Sequence, residues 1–149
     1  MAGLEANIGG ILISDDEDLP FPDANSTGNF TKGALATINF LATGTYEHSI
    51  NGGNLPIATW ATASTCKITG VTVTRPGNLT QNFGNWTWDC ALQAANITLN
   101  ELLTTVNGNL TVANAGGGTS LSFANGNATA VSMLSPYGTI IPAFALGSY

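Results

Sequence analysis

One stretch near the middle of the chain constrains the fold most, because it holds both cysteines and all three tryptophans. It runs from Trp60 to Leu92 and contains a turn signal at Pro76-Gly77-Asn78. In its first half the apolar phase changes at Gly70, which is typical of a β-bulge. In its second half apolar residues alternate with polar or small ones, which predicts a strand with one buried face. The residues predicted to share that face are Trp86, Trp88, Cys90 and Leu92.

The two cysteines are equally distant from Asn78 in the sequence. A hairpin that turns there places the two residues opposite each other, within the close Cα spacing that a disulfide requires. We therefore predict a central hairpin pinned by a Cys66–Cys90 disulfide, which implies an oxidising compartment. The alternative is a pair of buried free thiols that act as small hydrophobic residues.

Further turn signals divide the chain into short strand-like runs. They are typical of hairpin turns and are Asn51-Gly52-Gly53-Asn54, Asn107-Gly108-Asn109 and Asn125-Gly126-Asn127. Residues 96–106 fit both a helical stripe and a strand, and we expect a strand there, with a short helix as the alternative. The pattern predicts a single-domain all-β fold, a β-sandwich or jelly roll, with about eight to ten strands. No repeat of fixed period is visible, which argues against a solenoid.

The N-terminal region is set apart from this predicted body. We expect an apolar, strand-like segment at residues 1–14, an acidic linker with prolines at 15–32, and a β-sandwich domain at 33–149. An extended segment of this kind can add a strand to the open sheet of another subunit. The residues expected to fill the acceptor groove are Ile8, Ile11 and Ile13, or Leu12 in the other phase. The residues expected to border that groove are Ile140, Phe144 and Leu146.

The charge balance excludes two classes of partner. The net charge is −6, only 8% of residues are charged, and the only cations are Lys32, Lys67 and Arg75. Nucleic acid and anionic membrane surfaces both need a basic face, which this composition does not supply. No apolar run approaches the roughly 18 residues of a membrane-spanning helix. A surface with so few charges favours association, so we expect a homo-oligomer.

Asparagine and aspartate residues supply two further candidate sites. Seven Asn-X-Ser/Thr sequons occur, against roughly three expected by chance, and they are candidate glycosylation sites. They begin at Asn25, Asn29, Asn78, Asn85, Asn96, Asn109 and Asn127. The acidic linker offers weak candidate ligands for Ca²⁺, without the spacing of an EF-hand. They are Asp15, Asp16, Asp18 and Asp23, and the alternative is a solvated linker extended by self-repulsion.

Catalytic chemistry has little to build on in this sequence. His48 is the only histidine, it lies beside Glu47, and no GxSxG motif accompanies it. We expect His48 to be an ordinary loop residue and the chain to be neither an enzyme nor a cofactor-binding protein. Trp60 and Tyr46 could instead stack on a sugar, because aromatic faces bind carbohydrate.

In outline the chain resembles the strand-exchanging β-sandwich subunits of archaeal and bacterial surface filaments, namely threads, bundling pili and biofilm matrix fibres. The resemblance lies in the layout: an N-terminal strand, a linker and a Thr/Asn-rich body with many sequons. It implies a structural subunit at the cell surface that polymerises by donating its N-terminal strand to a neighbour. The alternatives are a phage capsid decoration or tail protein in a virion, and a secreted carbohydrate-binding or adhesion module.

Overall fold

The computed structural model describes residues 5–14 and 37–123, and within them all regular structure is β. The chain winds as a β-solenoid of about four turns whose strands pair in parallel. The prediction of an all-β chain is therefore correct, but the prediction of a β-sandwich or jelly roll is wrong. The strands are β1 (Glu5–Ile8), β2 (Ile11–Ser14), β3 (Thr37–Phe40), β4 (Thr45–His48), β5 (Thr59–Trp60), β6 (Thr65–Ile68), β7 (Asn82–Phe83), β8 (Asn85–Asp89), β9 (Ile97–Thr98), β10 (Thr105–Val106), β11 (Leu110–Asn114) and β12 (Leu121–Ser122).

The roughly four turns of the solenoid connect five stacked rungs. The first rung holds β1 and β2, the second β3 and β4, the third β5 and β6, the fourth β7 and β8, and the fifth β10 and β11. One face is a five-stranded sheet in the order β11-β8-β6-β4-β2. A second face is built from β1-β3-β5 and from the pair β10-β7, and β12 pairs with β9 on a third.

A fixed spacing recurs in the central rungs only, and the prediction against a solenoid is wrong. Tyr46 pairs with Cys66 and Cys66 with Trp86, so one register position recurs at an even spacing in three successive rungs. The next turn is longer, because Trp86 pairs with Leu110. Parallel neighbours need a crossover connection, and one turn of the solenoid supplies it. The repeat is hard to see because one column holds a tyrosine, a cysteine and a tryptophan.

The core consists of inward-facing columns that run along the solenoid. Phe40 and Trp60 stack with ring centroids 4.2 Å apart, and Phe83 continues the column at 5.2 Å from Trp60. Three of the four residues predicted to share a buried face are fully buried: Trp86, Trp88 and Cys90. Leu92 was wrongly assigned to that face, since β8 ends at Asp89 and the Leu92 side chain is 80% exposed.

The predicted central hairpin and its disulfide are also wrong. Cys66 pairs with Trp86, so Cys90 lies further along the neighbouring strand, about 13 Å away at the usual rise per residue. That separation is too large for a disulfide. Both cysteines are buried free thiols. The Cys90 thiol instead contacts the carbonyl oxygen of Ile68 at 3.5 Å.

Most of the sequence turn signals mark corners of the solenoid rather than hairpins. Asn78 adopts a φ of 59°, beside an isolated parallel bridge between Asn54 and Gly77. The β-bulge predicted at Gly70 is wrong, because β6 ends at Ile68 and Gly70 lies in a corner, where the amides of Thr69 and Gly70 both donate to the carbonyl of His48. The strand expected in residues 96–106 is present only near the two ends of that segment, as β9 and β10, and the residues between them form a turn. The signal at residues 125–127 lies outside the described residues.

Asparagine and glutamine side chains hold the corners of successive rungs together. Asn51 Oδ1 accepts the backbone amides of residues 72, 73 and 74, at 3.0, 2.9 and 2.9 Å. Gln93 is buried, accepts the indole N–H of Trp88 at 3.0 Å and donates to the carbonyls of Ala95 and Ser120. The bonds of Asn51 satisfy backbone amides that have no strand partner at the corner. The bond of Gln93 to Trp88 satisfies a buried indole N–H.

Candidate assembly interface

The predicted N-terminal strand is present, but it forms two strands around Gly9-Gly10 and pairs within its own chain. Strand β1 pairs with β3 from Glu5↔Thr37 to Ile8↔Phe40. Strand β2 pairs with β4 from Ile11↔Thr45 to Ser14↔His48. The first rung is therefore an edge rung, and among the described residues no strand pairs with its other edge.

Backbone and side-chain groups of the second rung hold the corner of the first. Three hydrogen bonds do so: Leu41 N to Ile8 O at 2.9 Å, Thr45 N to Gly10 O at 2.8 Å, and Thr43 Oγ1 to Gly9 O at 2.8 Å. All three donors belong to the second rung and all three acceptors are carbonyls of the first. The corner of the second rung is therefore complementary to the backbone path of the first rung.

A side-chain clamp adds to these bonds on the outer face. Asn39 Nδ2 donates to Glu5 Oε1 at 2.7 Å and to Asn7 Oδ1 at 3.0 Å. Both acceptors project from β1 on the same side, because alternate side chains in a strand share a face. One carboxamide therefore recognises two polar residues of the first rung.

The apolar residues predicted to fill an acceptor groove divide between two faces. Ile8 and Leu12 are half-buried and pack against the core. Ile11 faces outward and is 71% exposed. The corner at Gly9-Gly10 changes the inward phase between β1 and β2, so Ile8 and Ile11 do not share a face as predicted. Ile13 lies in β2.

The first rung is joined to the second by an unusually long connection. It covers residues 15–36, whereas residues 49–58 join β4 to β5 and residues 69–81 join β6 to β7. A turn of the solenoid therefore needs fewer residues than this connection provides. The weak calcium candidates of the acidic linker fall in it, outside the described residues.

The only histidine lies directly against the first rung. His48 is the Cα partner of Ser14 and is fully buried, so its assignment to a loop is wrong. Its Nε2 donates to the Gly52 carbonyl at 2.7 Å, and its Nδ1 lies 3.0 Å from the Tyr46 hydroxyl. A carbonyl only accepts, so the neutral imidazole carries its proton on Nε2 and Nδ1 accepts from the tyrosine. Burial lowers the pKa of His48, and the bond to Gly52 opposes that effect.

Charged groups on the outer face of the five-stranded sheet are paired. Lys67 Nζ lies 3.3 Å from Asp89 Oδ2. The pKa of Asp89 is lowered first by a hydrogen bond from Asn114 and then by Lys67, while slight burial opposes both. Thr69 donates to Glu47 Oε1 at 3.1 Å. Among the described residues no group of three His, Cys, Asp or Glu side chains could hold a metal ion.

The two thiols are chemically protected in the folded chain. Burial raises the pKa of Cys66 well above its usual range and that of Cys90 to about 11. The thiolate is the reactive form, and burial favours the protonated thiol at both positions. They contribute to the structure as packing residues.

The sequon asparagines within the described residues serve the stacking of rungs to different degrees. Asn78 Nδ2 donates to the Leu55 carbonyl at 2.9 Å. Asn85 donates to the Ala63 carbonyl and accepts the amide of Asn109. Asn96 Oδ1 accepts the backbone amide of Ser120. The side chain of Asn109 is exposed. Glycosylation stays a prediction.

Several predicted residues lie outside the described part of the chain. They are the sequons at Asn25, Asn29 and Asn127, the acids Asp15, Asp16, Asp18 and Asp23, and the groove residues Ile140, Phe144 and Leu146. The proposed sugar-stacking pair is described, and both rings are buried: Tyr46 is 0% and Trp60 6% exposed. Their faces are therefore not available to a carbohydrate.

The sequence patterns missed the residues that hold the first rung on the second. Asn39, Thr43 and Gly44 belong to the second rung and carry no motif of their own. They can be recognised only by their position, because the sequence alone does not show that they lie next to the first rung. Gln93 was missed for the same reason, and Asn51 was identified only as part of a turn signal, without its bonds to the next rung.

Comparison with protein-family models, with curated proteins and with solved structures finds no match to this chain. In the two described segments, no helix has the length and apolar character needed to cross a membrane.

Proposed function

We propose that this chain is a non-catalytic structural subunit that polymerises by placing its first rung on the second rung of a neighbouring subunit. The observation that carries the proposal is the edge position of the first rung together with its long connection to the second. In the described structure residues 5–14 occupy that position on their own chain. The same contacts between two copies constitute an exchange of identical elements, which is a low-cost route to assembly.

The connection is long enough for such an exchange. Residues 15–36 can span up to about 75 Å when extended. Neighbouring rungs are only about 4.8 Å apart. The connection therefore does not restrict the first rung to the chain that carries it.

The geometry of the exchange favours an open assembly. Each subunit donates one rung at one site and accepts one at another, which is a head-to-tail contact. Such a contact produces a filament unless two subunits exchange reciprocally. The low charge of the sequence, with 8% charged residues, is compatible with close association of many copies. An extracellular filament and a virion component would both use this contact.

An inter-chain crosslink tests the proposal. One variant carries Ile11→Cys and a differently tagged variant carries Thr45→Cys, and the two are co-expressed and oxidised. These residues are Cα partners in β2 and β4, at a spacing suitable for a disulfide. We expect a covalent heterodimer on non-reducing gels and filaments by electron microscopy of the unmodified chain.

A matched control uses Thr65→Cys and Asn85→Cys on two chains, which are Cα partners of the third and fourth rungs. This pair is expected to give no crosslink between chains, because these rungs are not exchanged. Absence of a crosslink for the first pair, with only monomers in solution, would exclude the proposed function.

A further inference from the structure

We propose that residues Asn39–Thr45 of the second rung form a selective acceptor site for the segment Glu5–Ser14 of a second copy of the chain. This inference rests on the proposed function and identifies the surface that recognises the donated rung. It places the acceptor on the second rung, whereas the groove residues predicted near the C-terminal end lie outside the described residues. Three features of the site define what it accepts: a close backbone approach, a carboxamide clamp and an apolar inner face.

The close approach occurs at Gly44. A Cβ atom at this position would lie 2.3 Å from the carbonyl oxygen of Ile8, closer than real Cβ contacts. Its other near neighbours are backbone atoms of Leu41 in its own turn, at 3.1 Å. The φ of Gly44 is not in the left-handed region, so its conformation does not demand glycine. Glycine is required there mainly because the first rung approaches so closely.

The clamp and the corner set the chemistry of the donated segment. Asn39 donates to acceptors at the first and third positions, which Glu5 and Asn7 supply. Thr43 binds the carbonyl of Gly9 at 2.8 Å. On the inner side the site packs against half-buried apolar residues, which are Ile8 and Leu12. The accepted segment therefore has side chains that accept hydrogen bonds at its first and third positions and an apolar residue at its fourth. A tight corner and a second buried apolar residue follow.

The need for a glycine lies in the second rung, which accepts, and not in the first rung, which is donated. A Cβ at Gly10 meets no atom of the described residues within 4 Å. A Cβ at Gly9 meets only the side chains of Thr43 and Leu41, at ordinary contact distances. Alanine at Gly44 should therefore block docking of the first rung, whereas alanine at Gly10 should not.

A complementation experiment tests this acceptor site in the full-length chain. Gly44→Ala can donate its first rung but cannot accept one. Leu12→Asp can accept a rung but cannot donate its own, because docking would bury an unpaired carboxylate. We expect each variant alone to be monomeric, and an equimolar mixture, analysed by native mass spectrometry, to form a one-to-one heterodimer. Gly10→Ala is the matched control and is expected to assemble as the unmodified chain does.

Hydrogen exchange verifies that the blocked variant remains folded. In Gly44→Ala we expect amides of residues 5–14, with Leu41 and Thr45, to lose protection while residues 59–114 keep theirs. If Gly44→Ala does not fold, Asn39→Ala replaces it. Loss of its two hydrogen bonds is expected to weaken the complex with a donor chain roughly tenfold.

The outcomes separate the acceptor site from the proposed function. If folded Gly44→Ala or Asn39→Ala assembles as well as the unmodified chain, the acceptor site is wrong, even where filaments form. Absence of a heterodimer from folded variants also overturns it. If the heterodimer forms but the unmodified chain stays monomeric with no crosslink between chains, the acceptor site stands and the proposed function fails.

Discussion

Two neighbouring tryptophans of the core differ by a single hydrogen bond. Trp86 and Trp88 are both fully buried on β8, with ring centroids 5.7 Å apart. The indole N–H of Trp88 donates to Gln93. The indole N–H of Trp86 has no partner among the described residues. A buried donor without a partner costs free energy. Replacing each tryptophan should therefore change the free energy of unfolding by a different amount.

Replacing each tryptophan with phenylalanine compares these two environments. Both substitutions create a cavity of similar size, but only Trp88→Phe leaves the Gln93 oxygen without its donor. We expect Trp88→Phe to lower the free energy of unfolding by about 1–2 kcal/mol more than Trp86→Phe does. Urea denaturation followed by circular dichroism measures the difference. Equal losses would mean that the Trp88–Gln93 bond contributes nothing net.

The buried histidine makes stability depend on pH. Its pKa is lowered in the folded chain, so between that pKa and the unfolded value of about 6.5 the unfolded state binds more protons. The stabilisation is complete above the unfolded pKa and is lost as the pH falls toward the folded pKa. The Tyr46 hydroxyl faces the imidazole, whereas Glu47 and Lys67 project from the outer side of the sheet.

Urea denaturation at several pH values tests this linkage. We expect the free energy of unfolding of the unmodified chain to decrease from pH 7.5 to pH 5. His48→Gln keeps a buried polar side chain without a titrating group, and its curve should be flat over the same range. An identical slope for both chains would assign the pH dependence to other groups.

At the scale of the strands, the sequence predicts which side chains are buried better than it predicts which strands are neighbours. Alternation in β8 reports which side chains point inward, and Trp86 and Trp88 were correctly placed. It does not report which strand lies beside β8, because an antiparallel hairpin and a parallel solenoid both bury alternate residues. The cysteine spacing then favoured the wrong partner. The actual partner is set by the period that relates Tyr46, Cys66 and Trp86.

Removing one complete turn tests that period. Deletion of residues 45–64 joins Gly44 to Thr65, which occupies the register position of Thr45 one rung further on. We expect the shortened chain to unfold cooperatively, with a denaturant m-value smaller by about a fifth because less surface is buried. Circular dichroism during urea titration measures both quantities.

Deletion of residues 55–64 is the control. It removes β5 but keeps β4, so the remaining chain is too short to complete a turn. We expect this variant not to fold. Equal stability of the two deletions would show that the rung is not the repeating unit of the core.

At the scale of the whole molecule, the N-terminal segment was predicted to be strand-like and separate from the body. The strands β1 and β2 confirm the first part. The acceptor could not be found from sequence, because Asn39, Thr43 and Gly44 lie adjacent to the first rung only once the solenoid is wound. The fold class was missed for a related reason. The first and the last turn are longer than the two between them, so no fixed spacing repeats along the whole chain.

The half-buried packing of the first rung has a mechanical consequence for the proposed filament. Tension along the solenoid axis pulls directly on the hydrogen bonds between rungs, since these bonds run from strand to strand. The joint between subunits should rupture before the subunit interior, because Ile8 and Leu12 are only half-buried whereas the inner columns are fully buried. A ruptured fibre would then break into intact subunits that can join again.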